Sequence, residues 1–151
     1  MLILTHMVKT KIVLVEDDEI LGKVIKEELK EAGFDVTHAI NGEDGLKTIK
    51  AKIPDLVLLD IIMPKKDGFA VLADLKSFPG TQGIPVIMLT MLGSDEDIKK
   101  GLKLGAADYI VKSQHAVEEI IEKVKDFFGS EAHPKRSYEK KSSKSEEKTA
   151  E

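Results

Sequence analysis

The chain has no cysteine among its 151 residues, which excludes disulfide scaffolds, thiolate metal sites and cysteine nucleophiles. No apolar run approaches the roughly 20 residues that a membrane-spanning helix needs. The opening MLILTHMVKTK has too short an apolar stretch, and no small-residue cleavage site, to be a signal peptide. A soluble cytoplasmic protein with no membrane contact is expected. A basic excess is also missing: 23 Lys+Arg against 27 Asp+Glu leave a formal net charge of -4, which argues against direct nucleic-acid binding. Neither the Gly-x-Gly-x-x-Gly fingerprint nor the phosphate-binding P-loop occurs. What is present is 42% hydrophobic and 33% charged, enough apolar material for one core at a length that suggests one domain.

Composition divides the chain in three. Residues 1–8 form an N-terminal extension, in which Met1 to His6 read as a vector scar ahead of a native start at Met7. Residues 9–129 carry the apolar material. Residues 130–151 hold six basic and five acidic residues, and Tyr138 is their only sizeable apolar side chain. Such a stretch buries too little surface to offset chain entropy, so a disordered charged tail is expected. Its locally basic run KRSYEKKSSK reads as a solubilising tail or linker, or as a docking segment for an acidic partner.

Between these ends two patterns alternate. Short β-branched or Leu-rich runs occur at Ile12 to Val15, Leu56 to Leu59, Val86 to Leu89 and Tyr109 to Val111, with a weaker run at Phe34 to His38. Near-continuous apolar strands suit a sheet covered on both faces. Helical spacing separates them. Ile20, Val24, Ile25, Glu28 and Leu29 mark a first helix stopped at Gly33. Asn41 caps a second, ending near Ala51 with Leu46 and Ile49 inward. Asp67 to Lys76 is a third, and Ser94 with Asp97 forms a capping box for a fourth. A fifth, Ala116 to Phe128, carries Val117, Ile120, Ile121, Val124 and Phe128 on one stripe. Five strand–helix units with right-handed crossovers give an α/β fold, a parallel sheet between two helix layers.

Ligands of such sheets bind at the carboxyl ends of the strands. Glu16, Asp17 and Asp18 follow the first run, Asp60 the third, Thr90 the fourth and Lys112 the fifth. Singly, each has an ordinary explanation: Asp18 can cap a helix, Thr90 can close a turn and Lys112 can pair at the surface. Together they are a specific set. Crowded carboxylates repel unless a positive charge intervenes. Mg²⁺ answers this with one or two carboxylates, waters and phosphate oxygens. Lysine adds fixed charge, and threonine can hydrogen-bond an oxyanion. The set suits phosphoryl transfer to a carboxylate, which depends on positioning and charge neutralisation. A structural acidic patch without metal is the alternative.

The motifs VEDD (Val15 to Asp18), LLDIIMPKKDG (Leu58 to Gly68), MLTM (Met88 to Met91) and DYIVKS (Asp108 to Ser113) match a known family in order and spacing. Over about Lys9 to Phe128 the chain resembles the receiver domain of two-component response regulators, of the single-domain chemotaxis-regulator type. The resemblance implies a doubly wound (βα)5, flavodoxin-like sandwich with a five-stranded sheet of order 2-1-3-4-5, which sets Asp17 beside Asp60 at the topological switch point. It implies Asp60 as phospho-acceptor, and Mg²⁺, with Mn²⁺ as a substitute, held by Glu16, Asp17, Asp60 and the backbone carbonyl of Ile62. Thr90 resembles the switch hydroxyl, Tyr109 the aromatic switch residue and Lys112 the lysine that contacts a phosphoryl oxygen. The implied donor is a sensor histidine kinase or histidine phosphotransfer protein. The implied output is a changed surface on the fourth helix, fifth strand and fifth helix, read by an unidentified effector or by a phosphorylation-dependent homodimer. The chain is then a signalling phospho-acceptor that assists its own phosphorylation and dephosphorylation, not an enzyme in the ordinary sense. It stands alone or forms the front of a longer regulator.

Three positions depart from the pattern. Ser113 follows Lys112 where the family usually has a proline in a cis peptide; a cis bond before serine costs roughly 3 kcal/mol, so either that bond is trans and the loop differs, or strain is stored there. Met91 follows Thr90 where a small residue is common and is expected to narrow access. Ile62 is apolar and cannot position a water by hydrogen bonding, so slow self-dephosphorylation is expected. Two other classes were weighed. A small-molecule phosphatase using Asp60 would commonly carry a second acid at position 62. An unphosphorylated interaction module would not need the complete acid, Thr and Lys set.

Overall fold

A computed structural model describes residues 8–129. The expected tail at 130–151 and the extension up to residue 7 lie outside the described residues. Strands β1 (Lys11–Val15), β2 (Asp35–Ala39), β3 (Leu56–Leu59), β4 (Val86–Thr90) and β5 (Asp108–Val111) alternate with helices α1 (Glu19–Glu31), α2 (Gly42–Lys52), α3 (Gly68–Ser77), α4 (Asp95–Lys103) and α5 (Val117–Gly129). All strand pairs are parallel and the order is β2-β1-β3-β4-β5. This is the doubly wound fold that the alternation and the resemblance pointed to.

Strands β1, β3 and β4 show no polar alternation because both of their faces are covered. Ile12 and Leu14 of β1 join Leu56, Leu58, Ile87, Leu89 and Ile110 against Ile25 and Leu29 of α1 and Ile120, Ile121, Val124 and Phe127 of α5. The intervening Val13, Val15, Val57, Leu59, Val86 and Met88 pack on the opposite face against Ile49 of α2 and Val71, Leu72 and Leu75 of α3. Each buried Val, Leu or Ile contributes about 1.5–3 kcal/mol of apolar burial, so the two layers hold the strand ends at fixed positions.

Helix starts follow the capping chemistry. Asp18, Asn41, Asp67 and Ser94 each accept a backbone N–H from three residues on, at Leu21, Asp44, Ala70 and Asp97. Two apolar positions differ from expectation. Ile20 and Val24 do not face the core: they are 81% and 41% exposed. The inward arc of α1 is Leu21, Gly22, Ile25 and Leu29, and Ile20 falls on the far side of the helix. At the end of α5, Phe127 is the buried aromatic, while Phe128 is half-buried against Phe34.

Candidate functional site

The parallel register fixes which strand ends meet. Val15 pairs with Leu59, so the residues after them, Glu16 and Asp60, leave adjacent strands side by side. The Asp60 N–H donates to the Val15 carbonyl at 3.0 Å, tying the two exits together. One carboxylate oxygen from each of Glu16, Asp17 and Asp60 lies within 4.8 Å of the others. Glu16 and Asp60 are buried and Asp17 is exposed.

Lys112 enters from the end of β5. Its Nζ donates to Asp60 Oδ2 at 2.9 Å and is ion-paired with Glu16 Oε1. There is no cis peptide among the described residues, and Lys112–Gln114 form a single 3₁₀ turn. The Lys112–Ser113 bond is therefore trans, and the lysine reaches both acids. Asp60 Oδ1 accepts the Ile61 N–H at 2.7 Å, and Glu16 Oε2 accepts the Asp18 N–H at 3.1 Å. Asp18 itself turns away to cap α1.

Electrostatics follow from this crowding. Burial pushes the Glu16 carboxyl up to about 7; the hydrogen bond and charge of Lys112 pull it back, and the charge of Asp60 adds to the rise. Burial also works against the Lys112 ammonium, but the hydrogen bonds and charges of Glu16 and Asp60 outweigh it and hold the lysine above its ordinary value. Three carboxylates against one ammonium leave two formal negative charges uncompensated. An oxygen-only donor set with that charge fits a hard divalent cation.

The remaining expected residues lie around this group. Thr90 ends β4, fully buried, and its Oγ1 accepts the Leu92 N–H at 3.3 Å. Tyr109 donates its hydroxyl to the Leu92 carbonyl at 2.6 Å, and burial, then the charges of Asp97 and Asp60, push its phenol up to about 12. Ile62 and Met91 are each 59% exposed, so Met91 points into solvent. Glycine is required at Gly68, where a Cβ would stand 2.1 Å from the Asp60 carbonyl oxygen. Lys65 adopts a left-handed φ of 70° in the loop between Asp60 and α3.

Two contributors were not anticipated. Leu92 joins Thr90 to Tyr109 through its backbone alone, which leaves no mark on side-chain chemistry. His38 reaches from β2 to the Glu16 carbonyl at 2.7 Å. A histidine near the end of a short strand run was the available signal.

Comparison with known proteins agrees with this geometry. The family model for the response regulator receiver domain matches residues 12–125. A probable transcriptional regulatory protein, SilR of Salmonella typhimurium, is 45% identical over 102 residues, covering 68% of this chain and 44% of that protein. The probable transcriptional regulator ycf27 of Porphyridium aerugineum is 41% identical over 106 residues, covering 70% and 43%. The chain thus spans less than half the length of these relatives. The Francisella response regulator 1452 receiver domain superposes with a TM-score of 0.74 at 31% identity, covering 82% of this chain and 100% of that one.

Proposed function

The chain belongs to the response regulator receiver domain family, and on that premise we propose that Asp60 accepts a phosphoryl group from a phosphohistidine donor and thereby switches a signalling surface. The observation that carries this is the group of three carboxylates, two of which, Glu16 and Asp60, are bridged by Lys112. An Asp60 carboxylate oxygen attacks phosphorus, the phosphorus–nitrogen bond of the donor breaks, and the departing imidazole takes up a proton. An ionised carboxylate needs no general base. The Ile61 N–H holds Oδ1 and Lys112 holds Oδ2, so the carboxylate is fixed in direction before the donor arrives. Lys112 then holds positive charge at the phosphoryl oxygens, as a loose transition state requires.

Glu16, Asp17, Asp60 and the Ile62 carbonyl would hold Mg²⁺ or Mn²⁺. When bound, the ion neutralises phosphoryl charge and offsets repulsion within the acidic group. Thr90 and Tyr109 supply the switch. Both are tied to Leu92, so a Thr90 hydroxyl that turns to the phosphoryl group gives up the Leu92 N–H and unsettles the Tyr109 anchor. The altered surface is α4, β5 and α5, offered to an effector or to a second copy, and the two states exchange by population shift. The Ile62 side chain offers the site no hydrogen bond, which supports a long-lived phosphoryl group over rapid hydrolysis. The relatives' names point to transcriptional control as the pathway's output. Among the described residues no helix is long and apolar enough to cross a membrane.

The test is intact-mass analysis after incubation with acetyl phosphate, with and without Mg²⁺, beside Asp60→Asn. A Mg²⁺-dependent gain of one phosphoryl group, absent from the folded variant, is expected. Equal gain by the variant would remove Asp60 from its role. No gain by the wild type with acetyl phosphate or a phosphorylated histidine donor would leave an unphosphorylated interaction module.

A further inference from the structure

The sheet ladder between β1 and β2 ends in an unusual way. Val15 pairs with Ala39, and the next donor on β1, the Glu16 N–H, still reaches the Ala39 carbonyl at 2.9 Å. A continuing parallel ladder would bring the Asn41 N–H to the Glu16 carbonyl. Instead β2 has ended and Asn41 is the N-cap of α2. The missing donor is a side chain: His38 Nε2 lies 2.7 Å from the Glu16 carbonyl. A carbonyl oxygen only accepts, so the ring carries its proton on Nε2. The imidazole passes over Gly22 of α1, where a Cβ would stand 2.2 Å from Cε1 and 2.4 Å from Nε2. Glycine in a helix interior is unfavourable relative to alanine, and the space it leaves is filled by the ring.

The carbonyl in question belongs to the peptide that links Glu16 to Asp17. Its N-terminal side is fixed by the ladder and its oxygen by His38. The exposed Asp17 carboxylate takes its direction from that peptide, and so does the turn into the Asp18 cap. We propose that His38 is a positioning residue for the metal site: its Nε2–H fixes the Glu16–Asp17 peptide so that Asp17 meets Glu16 and Asp60. The inference rests on reading the acidic group as a divalent-cation site. Hydrogen-bond partners that orient metal ligands are typically worth about 10–100-fold in affinity.

The test measures Mn²⁺ binding by isothermal titration calorimetry at fixed pH, together with the Tm of each metal-free protein. His38→Leu removes the donor, while His38→Gln keeps an N–H at similar reach. Gly22→Ala pushes a methyl group into the ring. The expected result is a Kd for Mn²⁺ raised about tenfold in His38→Leu and in Gly22→Ala, with His38→Gln restoring most of the affinity whatever its Tm. A purely structural role predicts lower Tm values with the Kd unchanged, and that result overturns the proposal. Equal loss in His38→Leu and His38→Gln overturns it too. Wild-type protein that binds no Mn²⁺ at millimolar concentration, like an Asp17→Asn control, removes the metal reading itself, a failure distinct from that of His38.

Discussion

The two edges of the sheet handle polar groups in opposite ways. At the amino edge several polar side chains meet backbone groups. Asp55 accepts the Lys11 N–H at 2.8 Å, buried Thr81 donates its hydroxyl to the Leu75 carbonyl at 2.8 Å, and Lys76 donates to the carbonyls of Gln82 and Ile84. At the carboxyl edge two buried carboxylates share a single lysine, with the exposed Asp17 carboxylate beside them. The first arrangement closes loops and adds stability. The second leaves charge that only an incoming group can balance, and that imbalance is what makes the edge responsive. The same apolar strands support both, so the difference lies in the one or two residues placed after each strand.

The contrast is broken most strongly at Lys112. Lys112→Met leaves two buried acids without their counter-charge, and the expected loss is about 3 kcal/mol at pH 8 in urea melts without metal. The pH dependence has a definite sign. Glu16 has its folded value raised above the unfolded one, so the folded state holds the extra proton between about 4.5 and about 7. Its contribution is fully present below that window and lost as pH rises through it. Removing Lys112, which pulls Glu16 down, extends the decline above pH 7. The variant is therefore expected to recover the part of its loss that belongs to Glu16 near pH 5, while the loss of the Asp60 pair remains, and a pH-independent loss would contradict the charge argument.

Thr81→Val is the counterpart at the other edge. It strips a buried carbonyl of its donor, for an expected loss of about 1–2 kcal/mol, with acetyl phosphate uptake unchanged. Reduced uptake by the folded variant would show that the edges are coupled. The smallest effect is expected at Lys65. Its left-handed backbone is costly for an L-residue, and Lys65→Gly removes that cost while adding freedom to the unfolded chain. A net gain of about 0.5 kcal/mol in Tm-derived stability is expected. A loss would mean that the lysine side chain holds the loop.

Most of the site was legible because a buried strand is a ruler. Once IVLV, LVLL and VIML are read as strands covered on both faces, the polar residue after each must emerge at one edge, and the 2-1-3-4-5 order makes β1 and β3 neighbours. Lys112 emerges there as well. The orientation of α1 was less legible. Ile20, Leu21, Val24, Ile25 and Leu29 span about half of the helix, and periodicity alone does not choose the arc that the sheet covers. His38 was not legible either, because its partner is a backbone carbonyl on another strand and depends on where the β1–β2 ladder stops.

Leu92 carries a last consequence. Its amide and its carbonyl, one on each side of the same α-carbon, are the hydrogen-bond link between the Thr90 hydroxyl and the Tyr109 phenol. The leucine side chain packs on the apolar layer beside Tyr109 and makes neither hydrogen bond, so the polar link itself depends on the backbone alone. Proline would break it, since it has no amide hydrogen. A replacement at position 92 that keeps the amide therefore keeps the hydrogen-bond link and alters only the packing beside Tyr109.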